Sequence, residues 1–568
     1  MKTRVSKKFT ATLLVLAVML TTLLGGLSVN AAPTINASET SGSLTINKED
    51  ENKKPVKDAV FSLFKIMDLA PGTGVNVGTY SKYTLNATYA AGIPGFAALN
   101  PDALGNFSAT EIEAMATAIW ELENATSTGL TPVQPALTTP ATGADGVTTL
   151  GNIPLGYYLV VETGVPAGHV AAKPFFVAIP STDNYADPTE KGTAWEYDVE
   201  VTPKNRTIDI VKDITNALGD HENGTAGNTT LGEADTVGLG DIVRYRVTTT
   251  VPHYTAEYFV QGRTPNFIIT DFMSAGLQIL DPDATPTPLV PYETILVKAD
   301  GVTLATPADY TIVTSNAKKS TDPATPDLRV QLTRAFLMDA DNHGAELTVD
   351  YVAKVTSAAV IGEEGNPNEV TLTYASMPGQ NKDGKPYDEE EDDEKIVYTF
   401  QLNVVKTVEG RETALAGAEF DLFKADAAGN ITATKVGSGT SVADTGLISF
   451  ARLDAGSYYL VETKSPVGYT LLTNPIKITI IATEDAEGPT GEITFKIDDA
   501  AVGATTAKDG AKFQSYFDSE NGIVSVAVEN KVGFSLPGTG GVGVTIFLAV
   551  AFIGMLTISV VLLKRKKA

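Results

Sequence analysis

One segment plan occurs twice in this chain, once near each end. Residues 54–65 read KPVKDAVFSLFK and residues 413–424 read TALAGAEFDLFK. Downstream of them, LGYYLVVETGVPAGH (155–169) matches AGSYYLVETKSPVGY (455–469) with one inserted Val, and His169 stands in place of Tyr469. Upstream, SLTINK ends at Lys48 and LNVVK ends at Lys406. A plan repeated with its parts in the same order means two copies of one domain. A chain of 568 residues must in any case divide into several cores. Between the copies lies a differently patterned stretch that opens with TIDIVK at Lys212 and closes with NPNEVTLTYA at 366–375.

Most of the chain alternates apolar and polar residues in period two, as in FFVAIP, IVRYRVTTTV, ELTVDYVAKV, IKITII and VSVAVEN. Gly, Pro, Asn and Asp interrupt these runs at short intervals, which is the pattern of β-sandwiches in series. FLMDA, ahead of ELTVDYV, also reads as strand. One segment has helical spacing: SATEIEAMATAIWELENA, with Ser108 or Thr110 as N-cap and Ile112, Met115, Ile119 and Leu122 on one face. The expected fold is all-β, tandem sandwiches with one short helical insertion in the first domain.

The two ends carry sorting information. Residues 1–31 have a basic start, a short apolar core and small residues before Ala31, the form of a secretory signal peptide. At the other end the apolar run 542–563 is long enough to span a bilayer, and the basic tail 564–568 would hold the terminus in the cytoplasm. The exported part is then 32–532, divided at about 205 and 398 into domains 32–205, 206–398 and 399–532, with 533–568 as a terminal signal. The net charge is −26, which argues against nucleic acid and anionic membranes as partners. Cysteine is absent, so any covalent staple must be of another kind.

Each domain offers a Lys on its first strand, an Asn near its last and an acid between. These are Lys48, Glu162 and Asn205; Lys212, Asp271 and Asn368; and Lys406, Glu462 and Asn530. Alternation puts Lys406 on the face of Leu402 and Val404, and Glu462 on the face of Tyr458 and Leu460. A Lys and a Glu facing one core must be paired or neutral. Desolvation lowers the Lys pKa and raises that of Glu, giving a nucleophilic amine and a proton-shuttling acid. An adjacent Asn could then be attacked at its side-chain carbonyl, losing ammonia and leaving an amide cross-link. A plain buried ion pair, or three residues that never meet, fits the spacing as well. In the middle domain Asp241 rivals Asp271, and Asn366 rivals Asn368.

YYLVETKSPVGY resembles the YxLxET-x-x-P-x-GY segment of the Cna-B-type modules of Gram-positive surface proteins, and the middle domain resembles their Cna-A-like variant. The resemblance implies immunoglobulin-like sandwiches with internal isopeptide bonds: Lys48–Asn205 with Glu162, Lys212–Asn368 with Asp271, and Lys406–Asn530 with Glu462. WEYDVEVTPKN (195–205) resembles the pilin motif W-x-x-x-V-x-V-Y-P-K, with Thr202 where Tyr is usual. There Val199 and Val201 would point into the sheet, Trp195 would anchor beneath, and Pro203 would precede an exposed Lys204. LPGTG (536–540) resembles the LPxTG signal of sortase, a cysteine transpeptidase. That resemblance implies recognition through Leu536 and Pro537, cleavage between Thr539 and Gly540, and transfer of Thr539 to a lysine amine.

The whole chain is similar to the major, or shaft, pilins of sortase-assembled pili of the SpaA and FimA/FimP type. This implies a wall-anchored, secreted, non-enzymatic subunit in which Thr539 of one copy is joined to Lys204 of the next. The implied partners are identical subunits, sortase, peptidoglycan or a basal pilin, and in addition a tip pilin and a host receptor, with only transient membrane retention. The alternative is a monomeric wall-anchored adhesin or a minor basal or tip pilin. No cofactor or metal is expected. DADNHG (339–344) starts like a calcium loop but has His343 at a ligand position. DEEEDDE (388–394) reads as a solvated connector, and His169, His221, His253 and His343 are scattered.

Overall fold

A computed structural model describes residues 35–36, 38–71, 79–85, 137–182, 195–215, 234–255, 258–259, 262–280, 295–315, 326–380, 386–426, 428–485, 488–502 and 513–533. The expected signal peptide, the helix expected near 108–124, LPGTG, the apolar run 542–563 and the basic tail lie outside these residues. Among the described residues no helix is long and apolar enough to cross a membrane. Almost every described element is a strand, and the sheets gather around three separate apolar cores.

In the first core, a three-stranded sheet runs Asp198–Val201, Ser41–Asn47, Val147–Pro154. The first two of these strands are parallel, with Val201 opposite Ile46. Leu44 and Ile46 alternate inward while Thr45 faces out and bonds Thr149 across the strands (3.0 Å). The partner sheet is built on Val60–Pro71, Gly156–Gly164 and Phe175–Ile179. The third core repeats this arrangement. Phe400–Val408 lies parallel to Ile523–Asn530, and the opposing sheet pairs Glu419–Ala425 with Gly456–Lys464.

The Val that reads as an insertion in YYLVVET is not one. Glu162 lies six residues after Gly156, and Glu462 lies six residues after Gly456. Tyr158 opposes Lys65 and Glu162 opposes Phe61, just as Tyr458 opposes Lys424 and Glu462 opposes Phe420. Tyr158 and Tyr458 both donate to the carbonyl four residues before them, at Pro154 (2.5 Å) and Asp454 (2.7 Å). The false insertion arises because the first-domain strand is buried on both faces from Gly156 to Glu162, which erases its alternation.

The middle core lies between two sheets. One contains Ile210–Ile214, Ile242–Thr250 and Glu346–Val355; the other contains Phe267–Met273, Asn366–Gln380 and Pro386–Tyr398. The second sheet extends past the expected closing strand, because DEEEDDE is a strand and not a connector. It pairs antiparallel along Asn366–Gln380, with Glu389 opposite Tyr374 and Asp393 opposite Val370. Beyond a short parallel contact at residues 396–398 its outer edge has no strand partner among the described residues. Like charges there discourage further strand addition. FLMDA is also corrected. Arg334–Met338 forms a short helix capped by Thr333, whose Oγ1 accepts from the Phe336 N–H (3.3 Å). Five residues are too few to show a helical period.

The domains are joined by more than their linkers. Met377, on the far end of a middle-domain strand, is buried in the first core, while Val170 and Ile208 are buried in the middle core. The Ala171 N–H donates to Ser376 O (2.8 Å). At the second junction Leu239 N–H donates to Arg452 O (2.8 Å), Arg452 Nε donates to Ala359 O (3.0 Å), and Thr236 Oγ1 donates to Asp454 Oδ1 (2.6 Å). Replacing Met377 by Asp places an unpaired carboxylate at the first junction, at a cost of several kcal/mol. Limited trypsin digestion is then expected to cut faster at Arg206, while the middle and third domains stay intact.

Candidate functional site

The third-domain triplet shows how the site is assembled. Lys406 continues the inward face of Leu402 and Val404, and its side chain has no solvent exposure. Its N–H donates to Gly446 O (2.8 Å), and a Cβ at Gly446 would lie 2.3 Å from Lys406 O, so only glycine allows this approach. Lys406 Nζ donates to Asn530 Oδ1 (2.6 Å) and to Val528 O (3.2 Å). Asn530 Nδ2 donates to Glu462 Oε1 (2.8 Å), which lies 3.7 Å from Lys406 Nζ. The other oxygen of Glu462 accepts from the Leu472 N–H (2.8 Å). The turn after Pro466 brings that N–H back onto Glu462, which accounts for the second half of the repeated segment. Burial lowers the Lys406 pKa to about 8 against the opposing pull of Glu462.

The first domain reproduces this geometry. Lys48 Nζ donates to Asn205 Oδ1 (2.5 Å), Asn205 Nδ2 donates to Glu162 Oε1 (2.9 Å), and Glu162 Oε2 lies 3.1 Å from Lys48 Nζ. The Ala172 N–H donates to Glu162 Oε2 (2.7 Å), as the Leu472 N–H does to Glu462. All three groups are buried, and burial lowers the Lys48 pKa. The His169 ring contacts its own turn at Ala167 O (2.8 Å), and among the described residues no hydrogen bond joins it to the triplet.

The middle domain brings its residues together differently. Lys212 stands on one sheet, and Asp271 and Asn368 on the other. Lys212 Nζ donates to Asp271 Oδ2 (2.6 Å). Asn368 is fully buried but is linked through Tyr351, whose hydroxyl accepts from Asn368 Nδ2 (3.2 Å) and donates to Asp271 Oδ2 (2.5 Å). Burial lowers the Lys212 pKa and raises that of Asp271, each opposed by the other's charge. The rivals have other work: Asp241 accepts from the Gly238 N–H (2.7 Å), and Asn366 is tied to the backbone of Val360 and Val397.

Sequence reasoning missed the aromatic rings around the amines. Phe61 lies 5.6 Å from Lys48 Nζ and Phe420 lies 5.8 Å from Lys406 Nζ. Both are the first Phe of the repeated FxLFK, so the repeat itself was the signal. Tyr245 and Tyr351 flank Lys212 Nζ at 5.2 and 5.8 Å. Asp393, from the acidic run, accepts from the Lys212 N–H (2.6 Å) and pairs with the buried Lys395 (3.0 Å).

Lys204 faces the other way. Val199 and Val201 are buried, Trp195 packs against the first core, and the strand ends at Val201. Lys204 follows with its side chain 46% exposed, and its only ion pair among the described residues is a long one to Glu49 (3.8 Å). The next residue, Asn205, turns inward to Lys48. The sorting residues Leu536, Pro537, Thr539 and Gly540 lie outside the described residues. Among the described residues no cluster of three or more His, Cys, Asp or Glu could hold a metal ion.

Residues 42–191 and 400–499, the two copies of the repeated plan, match the SpaA prealbumin-like fold domain. The chain is 24% identical over 384 residues to the trypsin-resistant surface T6 protein of Streptococcus pyogenes, covering 59% of this chain and 66% of that protein. It is 23% identical over 429 residues to fimbrial subunit type 1 of Actinomyces viscosus, covering 68% and 73% respectively. Its fold is similar to that of the three-domain T6 backbone pilin of S. pyogenes (TM-score 0.55, 18% identity, 87% of this chain and 99% of that one). The two outer domains are thus of the SpaA prealbumin-like type, and the chain as a whole is similar to fimbrial subunits and to a backbone pilin.

Proposed function

We propose that this chain is a pilin, the shaft subunit of a covalently polymerised pilus on a Gram-positive surface, anchored at the cell wall, in which Thr539 of one copy is amide-linked to Lys204 of the next. The dipeptide Lys204–Asn205 carries this reading, because two adjacent residues present one reactive group outward and one inward. The outward amine is accessible, held at a strand end by buried Val199 and Val201, and only weakly paired. A sortase thioester at Thr539 would be resolved by that amine, releasing everything from Gly540 onward, including the apolar run and the basic tail. The mature subunit would then keep no membrane anchor.

The inward groups are placed for internal amide formation. In each outer domain the Lys Nζ lies against the Asn side-chain amide, and one Glu touches both. The Glu takes a proton from the ammonium. The freed amine attacks the Asn Cγ, and the Nζ–Cγ bond replaces Cγ–Nδ2. Of the two protons that Nζ sheds, one leaves on ammonia and the other stays on Glu. Asn Nδ2 donates to Glu in both domains, so the acid faces the leaving group and not the amide oxygen. The same product is proposed for Lys212 and Asn368. The chain reacts once with itself and acts as a substrate of sortase.

High-mass ladders that survive boiling in detergent are expected for the native protein co-expressed with its sortase, and Lys204→Ala should abolish them. Ladders persisting in that variant would remove Lys204 as the linking residue.

Intact mass spectrometry of the full chain should find one ammonia missing for each of the three pairs. Glu462→Ala should restore one of them, and an unaltered mass in the wild type would refute the internal bonds.

An unlinked third domain should also respond to pH in a defined direction. In Asn530→Ala the Lys406 amine stays free and buried. Its folded pKa of about 8 lies below the 10.5 of the unfolded chain, so the unfolded state binds more protons between these values. Thermal stability of the variant relative to wild type should therefore rise as pH goes from about 8 to 10.5. A flat difference across that window would contradict a buried free amine.

A further inference from the structure

The middle triplet differs from the outer two in how its acid reaches the amide. In the outer domains a single Glu touches both reacting groups: Glu162 lies 3.1 Å from Lys48 Nζ and 2.9 Å from Asn205 Nδ2, and Glu462 lies 3.7 and 2.8 Å from the corresponding atoms. In the middle domain the acid is Asp271, one methylene shorter. It is 2.6 Å from Lys212 Nζ, and no hydrogen bond joins it directly to Asn368 among the described residues. The gap is filled by the Tyr351 hydroxyl, which donates to Asp271 Oδ2 (2.5 Å) and accepts from Asn368 Nδ2 (3.2 Å). Lys212, Asp271, Tyr351 and Asn368 thus form one unbroken chain of hydrogen bonds from the nucleophile to the leaving group.

The tyrosine is held for this position. It is 2% exposed, and its ring stacks on that of Tyr245 (5.5 Å between centroids, 23° between planes). Among the described residues neither Asp271 Oδ1 nor Asn368 Oδ1, both buried, has a hydrogen-bond partner, so the relay atoms Oδ2 and Nδ2 carry the polar contacts between these two residues. Unsatisfied buried oxygens are costly, and their presence marks an arrangement set up for something other than stability.

We propose that Tyr351 is a catalytic residue of cross-linking in the middle domain, its hydroxyl passing a proton from Asp271 to the departing nitrogen of Asn368. This rests on the reading that Lys212 and Asn368 become joined. Asp271 takes one proton from the Lys212 ammonium. The Nζ lone pair attacks Asn368 Cγ, forming Nζ–Cγ. Asp271 returns its proton through Tyr351, which gives its own hydroxyl proton to Nδ2 as it receives that of Asp271. Cγ–Nδ2 breaks and ammonia leaves. Of the three ammonium protons, one stays on the new amide nitrogen, one replaces the hydroxyl proton lost from Tyr351 to ammonia, and the last comes to rest on Asp271.

The test is peptide mass spectrometry of the full chain, following the joined Lys212 and Asn368 peptides over time after synthesis. The outer pairs in the same molecules serve as an internal reference. Tyr351→Phe removes only the hydroxyl and should slow middle-domain joining roughly tenfold or more, within the range typical of proton-transfer catalysis, while the outer pairs join as in wild type. Adding Asp271→Glu to Tyr351→Phe supplies the longer acid of the outer domains and should restore joining, which a merely structural tyrosine would not permit. Joining of Tyr351→Phe at the wild-type rate would overturn the relay, and so would failure of Asp271→Glu to restore it. A wild-type chain in which Lys212 and Asn368 remain separate would instead refute the middle-domain bond itself, and the relay with it.

Discussion

The organising constraint of this protein is a lysine amine taken out of water. An ammonium ion buried alone is too costly to persist, so each of the three inward lysines requires an acid on the facing sheet. Much of the local structure serves that pairing. The glycine at Gly446 lets the backbone close on Lys406, the FxLFK strand places an aromatic ring by the amine, and the proline turn returns an N–H to the second oxygen of the glutamate. The burial that makes the pair expensive also lowers the amine pKa toward the range where it is a nucleophile.

Two solutions to that constraint coexist in the chain. In the outer domains Lys and Asn sit at the ends of neighbouring parallel strands of one sheet, and the acid reaches across from the other. In the middle domain the lysine stands on one sheet and the acid and amide on the other. A Lys–Asn bond in the outer arrangement would tie the first strand to the last. In the middle arrangement it would tie sheet to sheet, and there a tyrosine stands between the shorter acid and the amide.

The repeat and the period-two alternation made the β-sandwich architecture legible, because both follow directly from burial on one face of a strand. The inward lysines were legible for the same reason: Lys406 continues a face already defined by Leu402 and Val404. Three features were not. Gly156–Glu162 is covered on both faces, so alternation vanished there and suggested an insertion. The acidic run 388–394 carries the charge of a linker, but its backbone pairs along a neighbouring strand, which side-chain polarity does not reveal. Tyr351 joins its site by facing Asp271 from a strand about eighty residues away in sequence, and no local pattern marks that contact.

The position of Lys204 has a mechanical consequence. If a neighbouring copy is attached there, tension entering at that amine leaves through the chain that follows it, along the middle and third domains to Thr539. The first domain precedes the attachment point and hangs beside the line of pull. Its Lys48–Asn205 contact therefore does not lengthen the tether's endurance as the other two would. It fastens the unloaded domain to the anchorage, one residue from the point where the load arrives.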